Sequence, residues 1–131
     1  MIKISLKGRV ISKKNSRQNR KAKTAAGKVY GFTVPSEAFD CFKNDCIQQI
    51  TQARIPKLLP PYFITYDFFL KGGLDIDIDN AQTSINDILQ DKLIKIIDND
   101  KNIIAVQARK HRGQDDWRVE LTIEEKYIFS S

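Results

Sequence analysis

The chain has 131 residues, enough for one domain of ordinary size and too few for two independent cores. Its 41% apolar and 29% charged residues are the balance of a globular protein, and no apolar run approaches the ~18 residues that span a bilayer. The net charge of +6 and a strand-like start where a secretory signal would carry an apolar core set the expectation of a cytoplasmic protein with an anionic partner and no membrane role.

The first element is predicted over Ile2 to Ile11, where Ile2, Ile4 and Leu6 alternate before Gly8 and the pattern resumes at Val10; the glycine marks a bulge in the strand. A basic loop is predicted at about 12–30. Lys13, Lys14, Arg17, Arg20, Lys21, Lys23 and Lys28 stand in it with no acid among them, so the segment carries +7 and the rest, 15 cations against 16 acids, sums to −1. Asn, Ser, Gln, Ala and Gly fill the gaps, with no apolar period and no face to insert into a membrane. A solvated loop is one reading; a phosphate-binding arm is the other, because such segments supply the salt-sensitive part of nucleic-acid affinity.

A helix follows, capped by Ser36 and running to about Arg54, on the three- and four-residue spacing of Phe39, Phe42, Cys46, Ile47 and Ile50. Cys41 and Cys46 lie five apart on it and point in different directions, which disfavours a disulfide. With one histidine and two cysteines there is no closed zinc set, so any metal would have to be held by oxygen ligands. Pro56, Pro60 and Pro61 end the helix, and YFITYDFFL, residues 62–70, is an aromatic and β-branched strand. From Asp79 the period becomes helical, with Ala81, Ile85, Ile88, Leu89 and Leu93 as the apolar stripe and Asp79 or Asn80 placed to cap the first free amides. A turn rich in Asp and Asn, residues 96–102, leads into two strands, Ile103 to Lys110 and Trp117 to Glu125, joined as a hairpin by RGQDD. The order β, α, β, α, β, β predicts a single α+β domain over 1–131 with a mixed, mostly antiparallel sheet and two helices. Trp117 is expected to pack in the sheet, and Lys110, His111 and Arg112 to form a charged hairpin tip.

The acids GGLDIDIDN, residues 72–80, precede the second helix. In an extended segment Asp75, Asp77 and Asp79 share one face, where three carboxylates must stay hydrated, take up protons or share a cation. An EF-hand is excluded, because Asn80 and Asn86 stand where that loop requires Gly and Glu. A second acidic pair, Asp98 and Asp100, lies one helix further on, and it meets the first only if the turn folds back toward the helix start. A solvated acidic edge and a site for Mg²⁺ or Mn²⁺ remain the two readings of the local pattern.

The strings DIDNAQTSINDIL and IIDNDKNI, with ISKKNSR near the start, resemble the RusA family of Holliday junction resolvases, in which an Asp-x-Asp-Asn opens a helix and a short acidic turn precedes a strand. The resemblance covers roughly residues 5–125 and implies a homodimeric, Mg²⁺-dependent endodeoxyribonuclease (Mn²⁺ serving as well) that acts in DNA recombination and repair and needs no small-molecule cofactor. Its substrate would be branched DNA, cut as paired strands of a four-way junction. Carried over to this chain, the catalytic aspartates are Asp77, Asp79 and Asp100, which also bind the metal with Asp98 as a neighbour; the turn's length leaves the choice between Asp98 and Asp100 open. Asn80 matches the motif's asparagine and joins Lys13, Lys14, Asn15, Arg17, Arg20, Lys21 and Lys23 as expected DNA contacts. Asp75 is not a family position. Thr83 stands where the family has a lysine, with Lys92, Lys95 or Lys101 as substitutes. A junction-binding accessory or regulatory protein of a phage or mobile element, weak or inactive as a nuclease, is the alternative.

Overall fold

The computed structural model describes residues 1–12, 18–23, 29–34 and 37–125, with 18–23 and 29–34 described through their backbone alone. The strands are β1 (Ile2–Lys7), β2 (Gln18–Lys23), β3 (Val29–Val34), β4 (Tyr62–Lys71), β5 (Ile103–Gln114) and β6 (Arg118–Glu124), and the helices are α1 (Glu37–Gln52) and α2 (Ile78–Leu89). A four-stranded sheet in the order β1-β6-β4-β5 carries both helices on one face, an α+β arrangement; β2 and β3 pair separately as an antiparallel two-stranded sheet.

β4 takes an inner place because it can be buried on one face along its whole length. Tyr62, Ile64, Tyr66, Phe68 and Leu70 alternate toward the helices and are almost fully buried, and Phe63, Thr65, Asp67 and Phe69 are half-buried on the other face. β4 pairs antiparallel with β6 and parallel with β5. The expected hairpin of the last two strands is therefore corrected: β5 and β6 are antiparallel neighbours in sequence, but the more apolar β4 lies between them. β5 also runs on to Gln114, so Lys110, His111 and Arg112 belong to a strand and not to a tip.

α2 lays Ala81, Ile85, Ile88 and Leu89 into the core, each worth roughly 1.5–3 kcal/mol for the larger side chains. Leu93, expected on the same stripe, is 75% exposed, because the helix ends at Leu89 and the chain turns there. α1 buries Phe39, Phe42, Cys46 and Ile50 and ends two residues short of expectation, with Arg54 in left-handed backbone at φ 55°. Its expected cap, Ser36, lies outside the described residues. Lys43 joins the two helices through Asp91 at 2.8 Å and Asp87 at 3.7 Å.

At the opposite edge from β5, Gln49 of α1 satisfies both main-chain groups of Lys7: its Oε1 accepts from the Lys7 N–H at 2.8 Å and its Nε2 donates to the Lys7 carbonyl at 2.9 Å. No bulge follows. β1 stops at Lys7, and Gly8, at φ +121° and bonded through its N–H to the Trp117 carbonyl at 3.0 Å, turns the chain out of the sheet. Part of the predicted basic loop is likewise replaced, since Gln18–Lys23 is a strand whose register runs from Gln18 opposite Val34 to Lys23 opposite Val29.

Candidate functional site

The chain enters the site where β4 ends. Lys71 is the last strand residue, Gly72 at φ +64° reverses direction, and residues 74–77 lead without regular structure into α2. Asp77 is the N-cap: its backbone is extended, at φ −88° and ψ 118°, and its Oδ1 accepts from the Asn80 N–H at 3.2 Å. The cap is thus two residues earlier than the helical period suggests, because a short carboxylate just outside the first turn satisfies an amide that neither Asp79 nor Asn80 can reach from inside it. It also breaks the alternation of the three acids. Asp77 is bent onto the helix end, and Asp79 lies in the first turn, exposed, its carbonyl accepting from the Thr83 hydroxyl at 2.9 Å.

A cleft of about 630 Å³ opens beside this junction, lined by Arg9, Val10, Ile11, Ser12, Asp75, Ile76, Asp77 and Ala81. Asp75, set aside by the family pattern, is its most connected acid. Its Oδ1 accepts from Lys110 Nζ at 2.9 Å and from the Ile76 N–H at 2.8 Å, and its Oδ2 accepts from Arg112 Nη2 at 2.9 Å. The Lys110 ammonium, the Ile76 amide and the Arg112 guanidinium together hold its carboxyl down at about 2. Lys110 also donates to the Ile76 carbonyl at 3.2 Å, which fixes an ammonium one residue from Asp77. No local pattern signals this pairing: position 110 comes near position 75 through the parallel register of β5 with β4, which sets Lys110 opposite Phe68.

The second acidic pair is elsewhere. Ile97 N–H bonds to the Leu89 carbonyl at 3.2 Å and Asp100 N–H to Gln90 Oε1 at 3.2 Å, so the turn is tied to the C-terminal end of α2. A 12-residue helix is about 18 Å long, and Asp77 caps its other end. The turn does not fold back toward the helix start. Asp98 accepts from the Tyr62 hydroxyl at 3.2 Å and from Asn102 Nδ2 at 2.9 Å; the Asn102 bond leads in keeping its carboxyl below the ordinary range. Asp100 opens a short 3-10 turn, Asp100–Asn102, and its charge faces the Tyr66 hydroxyl, which donates to Asn86 Oδ1 and is pushed far up, mainly by burial. Among the described residues no three His, Cys, Asp or Glu side chains converge where they could hold a metal ion. Asp77, Asp79, Asp98 and Asp100 therefore do not form a group of three or more ligands within a single chain, and a Mg²⁺ or Mn²⁺ ion here would be held by one or two carboxylates, with water and phosphate oxygens completing its shell.

Lys13, Lys14, Asn15 and Arg17 lie outside the described residues, and Arg20, Lys21 and Lys23 fall on β2. The substitutes for the missing lysine, Lys92, Lys95 and Lys101, follow the C-terminal end of α2; the cations at the cleft are Arg9 in its lining and Lys110 and Arg112 on Asp75. His111 faces the other side of the sheet. Its Nε2 lies 2.8 Å from Asp67 Oδ1, its ring stacks on Phe69 at 4.4 Å, and the Arg118 guanidinium covers Phe69 at 3.7 Å. Asp67 also takes two bonds from Arg109, at 2.8 and 3.0 Å, and these with His111 outweigh its burial and lower its carboxyl. Trp117 packs against the core, as expected, under the Arg9 guanidinium at 5.3 Å. No helix among the described residues is long and apolar enough to cross a membrane. Neither the known protein families nor the characterised proteins contain a match to this chain.

Proposed function

We propose that this chain is a RusA-like, structure-selective endodeoxyribonuclease that resolves four-way DNA junctions with Mg²⁺ as its cofactor. The observation that carries the reading is one of connectivity. Ser12 lines the acidic cleft, and the next residue, Lys13, opens the segment that carries +7 without an acid. Carboxylates repel a phosphodiester, so a protein that brings DNA to Asp75 and Asp77 needs cations to offset them, and in the chain the cationic segment follows directly on Ser12. Arg9, Lys110 and Arg112 add positive charge within or beside the cleft. The start of α2 adds the partial positive charge of a helix N-terminus. On this reading Asp77 orients the helix start, Lys110 holds Asp75 and keeps a cation beside the cleft, and the basic segment binds the phosphate backbone.

The test is cleavage of a synthetic four-way junction in Mg²⁺ by the protein and by Asp79→Asn. The protein should nick the junction in paired strands and the variant should not; equal cleavage by both removes Asp79 from the site, and no cleavage by either rejects the enzyme. A second reading, a junction-binding protein without turnover, is favoured by the separation of the two acidic pairs along α2 and by Thr83. It expects tight, salt-sensitive junction binding without nicking in Mg²⁺ or Mn²⁺. Thr83→Lys, which would place an ammonium one turn from Asp79, separates the two: a gain of cleavage assigns the deficit to this position.

A further inference from the structure

Three donors converge on one exposed carboxylate at the wall of the cleft. Asp75 Oδ1 accepts from Lys110 Nζ at 2.9 Å and from the Ile76 N–H at 2.8 Å, and Oδ2 accepts from Arg112 Nη2 at 2.9 Å. An ammonium, a guanidinium and a main-chain amide are the groups with which proteins hold phosphate. Arg112 reaches Asp75 through one nitrogen, where a phosphate takes two parallel bonds from the guanidinium fork.

Two of these donors do not owe their place to the Asp75 side chain. The amide is main chain, and Lys110 also donates to the Ile76 carbonyl at 3.2 Å, with its own side chain only 24% exposed. Just beyond Lys110 the register of β5 against β4 shifts, between Phe69 and Lys71, and Gly113 stands there at φ +69°; a bulge re-aims neighbouring side chains, and Arg112 is the neighbour. The occupant is the loose member of the group. The Asp75 side chain is 52% exposed, in a segment without regular structure between β4 and α2, and an exposed ion pair contributes little to stability.

We infer that Lys110, Arg112 and the Ile76 amide form a phosphate-binding cradle, which the chain's own Asp75 carboxylate fills until a phosphate takes its place. The exchange swaps one anion for another, so the two cations keep a partner throughout, and the displaced carboxylate returns to water. Asp75 is on this account an internal competitor. An acid that only braces the cleft weakens anion binding when it is removed; a competitor strengthens it. That the phosphate is one of the DNA backbone rests on the proposed function; the cradle itself does not.

The experiment titrates inorganic phosphate into the full isotope-labelled chain at constant ionic strength, following the Ile76 amide by NMR, and measures binding of a synthetic four-way junction in EDTA, where no cleavage intervenes. The variants are Asp75→Asn, Lys110→Met, the two together, and Asp79→Asn, which removes the same charge from the same strand-to-helix junction without touching the cradle. Asp75→Asn should bind both ligands roughly tenfold more tightly, the size of one charge-assisted bond, and its plot of log junction affinity against log salt should steepen by about 0.9 for the phosphate gained. Lys110→Met should cost the parent little and should cost Asp75→Asn its whole gain; Arg112→Gln repeats the comparison at a more exposed position, should Lys110→Met fail to fold. Weaker phosphate binding by Asp75→Asn, an equal gain from Asp79→Asn, or effects at 75 and 110 that simply add overturns the cradle. A gain for inorganic phosphate with none for the junction keeps the cradle and removes the DNA backbone as its ligand. Tighter junction binding without cleavage in Mg²⁺ counts against the nuclease alone.

Discussion

Replacing Asp77 by alanine and by asparagine separates what this residue does for the fold from what it does for the chemistry. Its Oδ1 satisfies one free amide of α2, that of Asn80, at 3.2 Å, and its charge sits at the positive end of the helix. Removing a side-chain cap costs about 1 kcal/mol, and a carboxylate beside a helix N-terminus adds about 0.3–1 kcal/mol at an exposed position. Asp77→Ala loses both terms, and the length of the bond keeps the total near ~1.3 kcal/mol. Asp77→Asn retains an acceptor of equal capping strength and loses only the charge, ~0.5 kcal/mol. Urea unfolding followed by circular dichroism should rank the parent above Asn and Asn above Ala, with equal slopes, and the alanine variant should melt about 5 °C lower. Both variants should lose junction cleavage alike, since asparagine has no charge. If the two variants have the same stability, the cap does not hold α2; if asparagine keeps full cleavage, the carboxylate charge at position 77 has no part in the reaction.

Asp75 makes acid stability testable. Its carboxyl, drawn down to about 2 by Lys110, Ile76 and Arg112, lies below its unfolded value, so its contribution is complete above about pH 4 and disappears as the pH falls through 2. Asp75→Asn should therefore lose less stability than the parent between pH 4 and pH 2, measured as urea midpoints at each pH; an identical loss would remove the Lys110 pairing from solution. Lys13→Ala with Lys14→Ala should weaken junction binding and flatten the plot of log affinity against log salt by about 0.9 per lost phosphate contact, close to 2 for the pair. An unchanged slope would show that these lysines do not touch phosphate.

The parts of the fold read directly from the sequence are those with a long single period: Tyr62 to Leu70 as a buried strand, and Ala81, Ile85, Ile88 and Leu89 as one helix face. VYGFTV, residues 29–34, carries the same aromatic and β-branched signal yet falls at the edge of the cationic run, and the charge of that run masks the strand pairing of 18–23 with 29–34. The order of β5, β4 and β6 was not legible, because a short connection between antiparallel strands suggests adjacency and says nothing about a third strand between them. At the site, period two grouped Asp75, Asp77 and Asp79 as equals. Helix capping drew Asp77 out of that set, and the parallel register of β4 and β5 brought Lys110 to Asp75, a contact between residues 35 apart that no local pattern encodes.

The clamp of Gln49 on Lys7 closes the β1 border of the sheet at that residue. A side-chain amide that donates to and accepts from one main-chain residue stands in for a further strand at that position, so β1 offers no free pair of groups there to an incoming chain. Lys3 and Lys7 add charge along the same border, so an incoming strand at β1 meets both a filled main-chain position and two ammonium groups to desolvate.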